Sequence, residues 1–165
     1  MQKIALLLPL VFLFGCATPY QKIGDTGGYD HLKLGEDLYR VTFRGNGFTE
    51  YERAYDFALV RAAEIGKKLG YSHFTVEGQE DCSTTTIVDM GSTSHTSGSV
   101  YGYAGSASYY GTTTTQSNKM PVKKPGVVLF VKYYEGEPKG RHLEIHIAQN
   151  VINSMEEKYG FKLNP

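Results

Sequence analysis

Tryptophan is absent from the 165 residues, cysteine occurs only twice, and neither sign of charge is in excess, with 17 Lys and Arg against 17 Asp and Glu. Balanced charge leaves no electrostatic footprint for nucleic acid, so no such partner is expected. Two cysteines cannot staple a disulfide scaffold. The longest apolar run, Ile4 to Phe14, is eleven residues, short of the roughly 20 that a spanning helix needs. What remains is an apolar share of 41%, with 13 Tyr and 8 Phe. That suffices for a modest core and argues against wholesale disorder. The length suits about one domain.

The amino-terminal run has a different use. Lys3 precedes it and no charge interrupts it, which is the pattern of a secretory leader. Leu13-Phe14-Gly15-Cys16 then resembles a bacterial lipobox, in which a leader peptidase cuts before a cysteine carrying diacylglycerol. Gly15 gives the small residue before the cut and Cys16 the thiol, although Phe14 is bulkier than usual. Residues 1–15 are therefore expected to be a signal peptide, and Cys16 the lipidated anchor. One acyl chain holds a protein only marginally, whereas two or three do so durably. Ala17 stands where an aspartate would resemble an inner-membrane retention signal. The expectation is a lipoprotein on the periplasmic face of the outer membrane, with Cys82 as the other thiol.

Residues 16–36 read as a glycine-containing tether, and 37–165 as a single domain. Tyr39, Val41 and Phe43 alternate as one face of a half-buried strand. Thr49 and Glu52 predict a capping box opening a helix. Its core stripe would be Tyr51, Ala54, Tyr55, Ala58, Ala62, Ile65 and Leu69, stopped by Gly70. Phe74 and Val76 start another strand. Between residues 91 and 118, 22 of 28 residues are Ser, Thr, Gly or Tyr. The insert, about 89–120, is expected as a mobile loop or a long polar hairpin. Val127–Val131 is a buried strand, Leu143, Ile145 and Ile147 a short one, and Val151, Ile152, Met155 and Tyr159 a final helix. The predicted class is α+β in two layers: a three- to four-stranded sheet, an amphipathic helix on one face and a short carboxy-terminal helix.

Val41-Thr42-Phe43-Arg44-Gly45-Asn46, Leu59-Val60-Arg61-Ala62-Ala63-Glu64 and Gly70-Tyr71-Ser72-His73-Phe74 resemble segments of a family of small proteobacterial lipoproteins named after Caulobacter members. The resemblance implies lipoprotein status and a shared fold. It implies no activity and supplies no catalytic residues.

Candidate sites follow from residue type. Arg44, Gly45, Asn46 and Gly47 precede a helix amino terminus, where amides and the dipole can hold an anion such as a phosphate or carboxylate of lipid or peptidoglycan; an ordinary turn explains the same glycines. Phe57 and Val60 fall off the predicted core stripe beside Arg61, and could form a contact patch or lie under the tether or the insert. Tyr101, Tyr103, Tyr109 and Tyr110 give the insert a paratope-like composition suited to a protein or glycan. His142 and His146, with Glu144 between them, would share the wet face of a strand, but the order is not His-Glu-x-x-His and no third ligand is near. Cys82 with His73 is a candidate nucleophile pair, yet Glu80 and Asp81 would raise the thiol's pKa. The balance favours a non-enzymatic interaction or scaffolding protein of the cell envelope without a cofactor. An envelope hydrolase or metal enzyme, and an anion or peptidoglycan binder at Arg44, are the alternatives.

Overall fold

The apolar run after Pro125 becomes the centre of the molecule. In the computed structural model, which describes residues 17–103, 106–139 and 144–163, strand β6 (Gly126–Tyr134) lies between β2 (Leu38–Arg44) and β3 (His73–Asp81). Strand β1 (Gly28–Lys33) extends the sheet beyond β2, and β7 (Ile145–Ile147) beyond β3. The order is β1-β2-β6-β3-β7 with every pairing antiparallel. A second, two-stranded sheet is a hairpin of β4 (Thr84–Tyr103) and β5 (Ser106–Lys124). Helices α1 (Tyr51–Leu69) and α2 (Ala148–Tyr159) complete an α+β fold. The sheet is thus larger than the three or four strands expected. β1 comes from the supposed tether, and the hairpin forms a sheet of its own.

One face of the five-stranded sheet carries Tyr39, Val41, Phe43, Val127, Leu129, Val131, Tyr133 and Phe74, all buried against α1. Gly66 sits over the Tyr133 ring, where a Cβ would come within 3.0 Å of it. The Tyr133 hydroxyl donates to the Ala62 carbonyl at 2.8 Å. Small residues at these turns let the helix approach the sheet closely, as the alanines suggested.

The helix is covered on more sides than its periodicity implied. Besides the expected alanines and Ile65, Phe57, Leu59, Val60 and Ala63 are buried, whereas Leu69 and Tyr51 are exposed. Helix α2 lies alongside and contributes Ala148 and Ile152 to the same core. Asp56, buried, accepts hydrogen bonds from Lys158 Nζ at 2.8 Å and the Tyr159 hydroxyl at 2.6 Å. Lys158 also reaches Glu52 at 2.6 Å. Glu52 is therefore a partner of α2 and not half of a capping box: Glu50 is the N-cap, without a side-chain bond. Both carboxy-terminal stops hold, with Gly70 at φ 87° and Gly160 at φ 68°.

Residues 17–36 are folded onto the domain, correcting the tether. The Gly24–Gly27 turn returns the chain antiparallel to itself, and Gly27 has φ 99° with no room for a Cβ beside the Arg44 carbonyl. Thr18 is fully buried. Tyr20 stacks on Phe161 at 5.5 Å, meets Phe57 edge-on at 5.4 Å and donates to Glu64. Burial, with Glu64 adding to it, raises the Tyr20 pKa far above the phenol range. The leader and Cys16 lie outside the described residues.

Candidate functional site

The hairpin is an extension of the two central strands of the domain. Asp81 faces Val127 in the β3–β6 pair and Thr84 faces Lys124 in the hairpin. Three residues are advanced on each strand, so the register passes through Cys82-Ser83 and Pro125 without a slip. Strand β4 runs 20 residues and β5 19, against about 5–6 for a usual strand. At about 3.4 Å per residue the arm is roughly 65 Å long. The polar insert is thus a hairpin, starting earlier and ending later than 89–120. Its only register irregularity lies between Asp89 and Ser92, where Gly91 takes φ 95°: a bulge on β4 alone.

The arm has three zones. Near the stem Val88 pairs with Met120 and Ile87 with Pro121; Ile87, Val88, Met90 and Met120 are exposed. The middle is a hydroxyl ladder, in which Ser94 meets Thr115 at 3.0 Å and Thr96 meets Thr113 at 2.9 Å. Toward the tip Val100 pairs with Tyr109, Ser99 with Tyr110 and Tyr101 with Ser108. Val100, Tyr101, Tyr109 and Tyr110 are 67, 68, 58 and 71% exposed, values that would suit an unpacked surface. Tyr103 pairs through its backbone with Ser106. The glycine pair Gly98–Gly111 has a steric reason: the Tyr109 ring lies across it, and a Cβ on either glycine would come 2.6 Å from Tyr109 Cζ.

At the root of the arm is a cleft of about 210 Å³ lined by Gly24–Gly27, Arg44–Asn46, Cys82, Thr84, Lys124 and Pro125. It gathers Arg44, Gly45 and Asn46 of the candidate anion site and Cys82 with a cation the sequence reading missed, Lys124. Four amides of the anion cradle expected at the turn are taken by the protein itself. The amides of Gly45, Asn46, Phe48 and Thr49 donate to the Pro125 carbonyl, the Thr18 hydroxyl, the Asn46 side chain and the Asn46 carbonyl. Gly47 instead packs against Val122 of β5. Arg44 and Lys124 bring positive charge to the cleft, with Asp25 opposing it.

The Cys82 thiol is held above its ordinary pKa, mainly by burial, with Asp81 and Glu80 pushing the same way and Arg44 opposing. His73 pairs with Tyr134 at the far end of β3, so the proposed nucleophile pair is separated by the length of a strand. His146 is further corrected. It turns inward from the wet face and stacks on Phe74 at 5.0 Å, with Nε2 3.7 Å from Glu144 Oε1, while Ile145 and Ile147 face out. Burial lowers its pKa. Opposite Phe74, it stands about 26 Å along β3 from Cys82, by the strand rise. His142 lies outside the described residues. Among the described residues no three His, Cys, Asp or Glu side chains group closely enough to hold a metal ion.

The Phe57, Val60 and Arg61 patch is likewise overturned. Phe57 and Val60 are 1% and 0% exposed; Phe57 meets Phe43, Tyr20, Tyr159 and Phe161 edge-on at 4.9–5.8 Å. Arg61 lies over the Tyr29 ring at 4.4 Å and pairs with Glu64 at 2.9 Å. Tyr20 and Tyr29 of the expected tether cover Phe57 and Arg61 as folded structure.

No family model, curated protein or solved structure matches this chain. Its function is therefore argued from its own residues.

Proposed function

We propose that the chain is a non-enzymatic, lipid-anchored interaction protein of the bacterial envelope that presents the β4–β5 arm to a partner. The observation that carries this reading is the exposure of Val100, Tyr101, Tyr109 and Tyr110 at the end of a hairpin continuous with the domain's central strands. Single exposed apolar residues are ordinary, whereas two clustered bands on one projecting element mark a contact surface. The lipobox-like Gly15-Cys16 supports attachment to membrane, and Ala17 supports the periplasmic face of the outer membrane. A protein or peptidoglycan partner would then lie within reach of the arm.

The test is site-specific photo-crosslinking from positions 101 and 110 in intact envelopes, with position 40 on the sheet as the comparison. Adducts confined to the arm are expected. Absence of any adduct from both arm positions, with the protein at its normal level, would overturn the reading. Cys16→Ser is expected to abolish palmitate labelling, and retained labelling would refute the anchor.

A further inference from the structure

Resting on the reading of the arm as a contact surface, we infer that its partner is a second copy of this chain, joined edge to edge through β5. Both outer edges of a two-stranded sheet carry backbone donors and acceptors that the ladder does not use, and such edges template further strands. Proteins ordinarily protect them with charge, proline or bulges. From Met90 to Asn118 this arm has no Asp, Glu, Lys, Arg or Pro. The two edges differ in the remaining device: β4 is interrupted by the bulge between Asp89 and Ser92, while β5 runs unbroken from Ser106 to Lys124. The unprotected edge is β5 from Ser106 to Asn118, with Lys119 and Pro121, which has no amide to donate, confined to its stem end.

The pattern along β5 is also complementary to itself. Its larger apolar residues lie in two bands, Tyr109 and Tyr110 toward the tip and Met120, Pro121 and Val122 at the stem, separated by residues 111–119 of which only Lys119 is charged. Antiparallel pairing about a two-fold axis at Thr115 sets Tyr110 of one copy opposite Met120 of the other, and Tyr109 opposite Pro121. Residues directly opposite share a face, so each aromatic ring meets an apolar side chain on its own side of the sheet. Thioether–aromatic contact is favourable in that geometry. Lys119 falls opposite Gly111, where it meets no like charge. The hydroxyl ladder lies over its own copy in between. The result is a four-stranded sheet with isologous symmetry, which closes at two copies.

The experiment uses the full chain, in detergent and in its native membrane, carrying Cys82→Ala. Thr115→Cys in that background is expected to give a disulfide-linked dimer under mild oxidation. Thr96→Cys on the β4 edge, and Cys82→Ala alone, are expected to give none. Without oxidant, sedimentation should report a dimer for the parent chain. Thr115→Lys, which sets two lysines face to face at the axis, should give a monomer that keeps the parent's circular dichroism spectrum. A monomeric parent chain with no Thr115→Cys crosslink overturns the inference. Equal crosslinking through Thr96→Cys overturns the choice of edge, and with it the pairing argued here. If photo-adducts from positions 101 and 110 contain only a different protein, the second copy is excluded while the arm's role as a contact surface stands.

Discussion

The five-stranded sheet and the arm follow one another along two paths of chain, in register where they join, yet treat similar side chains in opposite ways. In β6, Val127, Leu129 and Val131 are wholly buried, and Tyr133 nearly so. Past Pro125, on the same ladder, Met120, Tyr110 and Tyr109 stand in solvent. The backbone hydrogen bonds are equivalent in kind; the neighbours are not. Where β2 and α1 flank the ladder, apolar area leaves water. Where nothing flanks it, the chain is mostly hydroxyl and glycine, which lose little by remaining wet. Strand pairing therefore shapes the arm, while burial stabilises the domain.

The comparison is sharpened most by removing Phe57. The side chain is enclosed by Tyr20, Phe43, Tyr159 and Phe161, so Phe57→Ala should cost about 3–5 kcal/mol by chemical denaturation. A loss below about 1 kcal/mol would mean that the amino- and carboxy-terminal segments do not close over the helix.

A smaller effect is expected from pH. Burial holds the His146 pKa below its ordinary 6.5, so on acidification the unfolded chain takes up a proton before the folded one does. The stability from neutral His146 is fully present above the ordinary histidine range and is lost as pH falls through it toward the lowered folded value. Urea midpoints of the parent chain should drop on mild acidification more than those of His146→Phe. Parallel curves for the two chains would show that His146 titrates in water.

The smallest effect belongs to the arm. Tyr110→Ser and Tyr101→Ser should leave the stability of the monomeric domain within about 0.5 kcal/mol, while Tyr110→Ser weakens the association through β5. A large drop in the melting temperature would instead mean that the tip packs on the domain.

The sequence exposed those features that depend on near neighbours. The alternation of Tyr39, Val41 and Phe43, the unbroken Val127–Val131 run, and the glycine stops at Gly70 and Gly160 are local consequences of period and φ. What it hid depends on a second covering layer. A helix touched only by a sheet shows one apolar stripe, but α1 is also covered by Tyr20 and Tyr29 from the amino-terminal segment and by Phe161 from the tail. Phe57 therefore falls off the stripe while lying at the centre of the core. Thr18 misled for a related reason. A short polar residue in a glycine-rich stretch gives no periodic signal, yet it accepts from the Asn46 amide and binds Thr49, fixing the turn. At β7 three residues are too few for alternation to decide which side faces in. The stacking surface of Phe74 selected His146.

The unbroken register between arm and domain has a mechanical consequence. A load applied at the hairpin's end is conducted along β4 and β5 directly into β3 and β6. It arrives amid the sheet and not at a dispensable margin. Because β4 and β5 are one continuous chain through the tip, a pull there loads both strands lengthwise and reaches Cys82 and Gly126 together. Whatever grips the distal end therefore tugs on the folded body itself, as a rigid handle moves the tool.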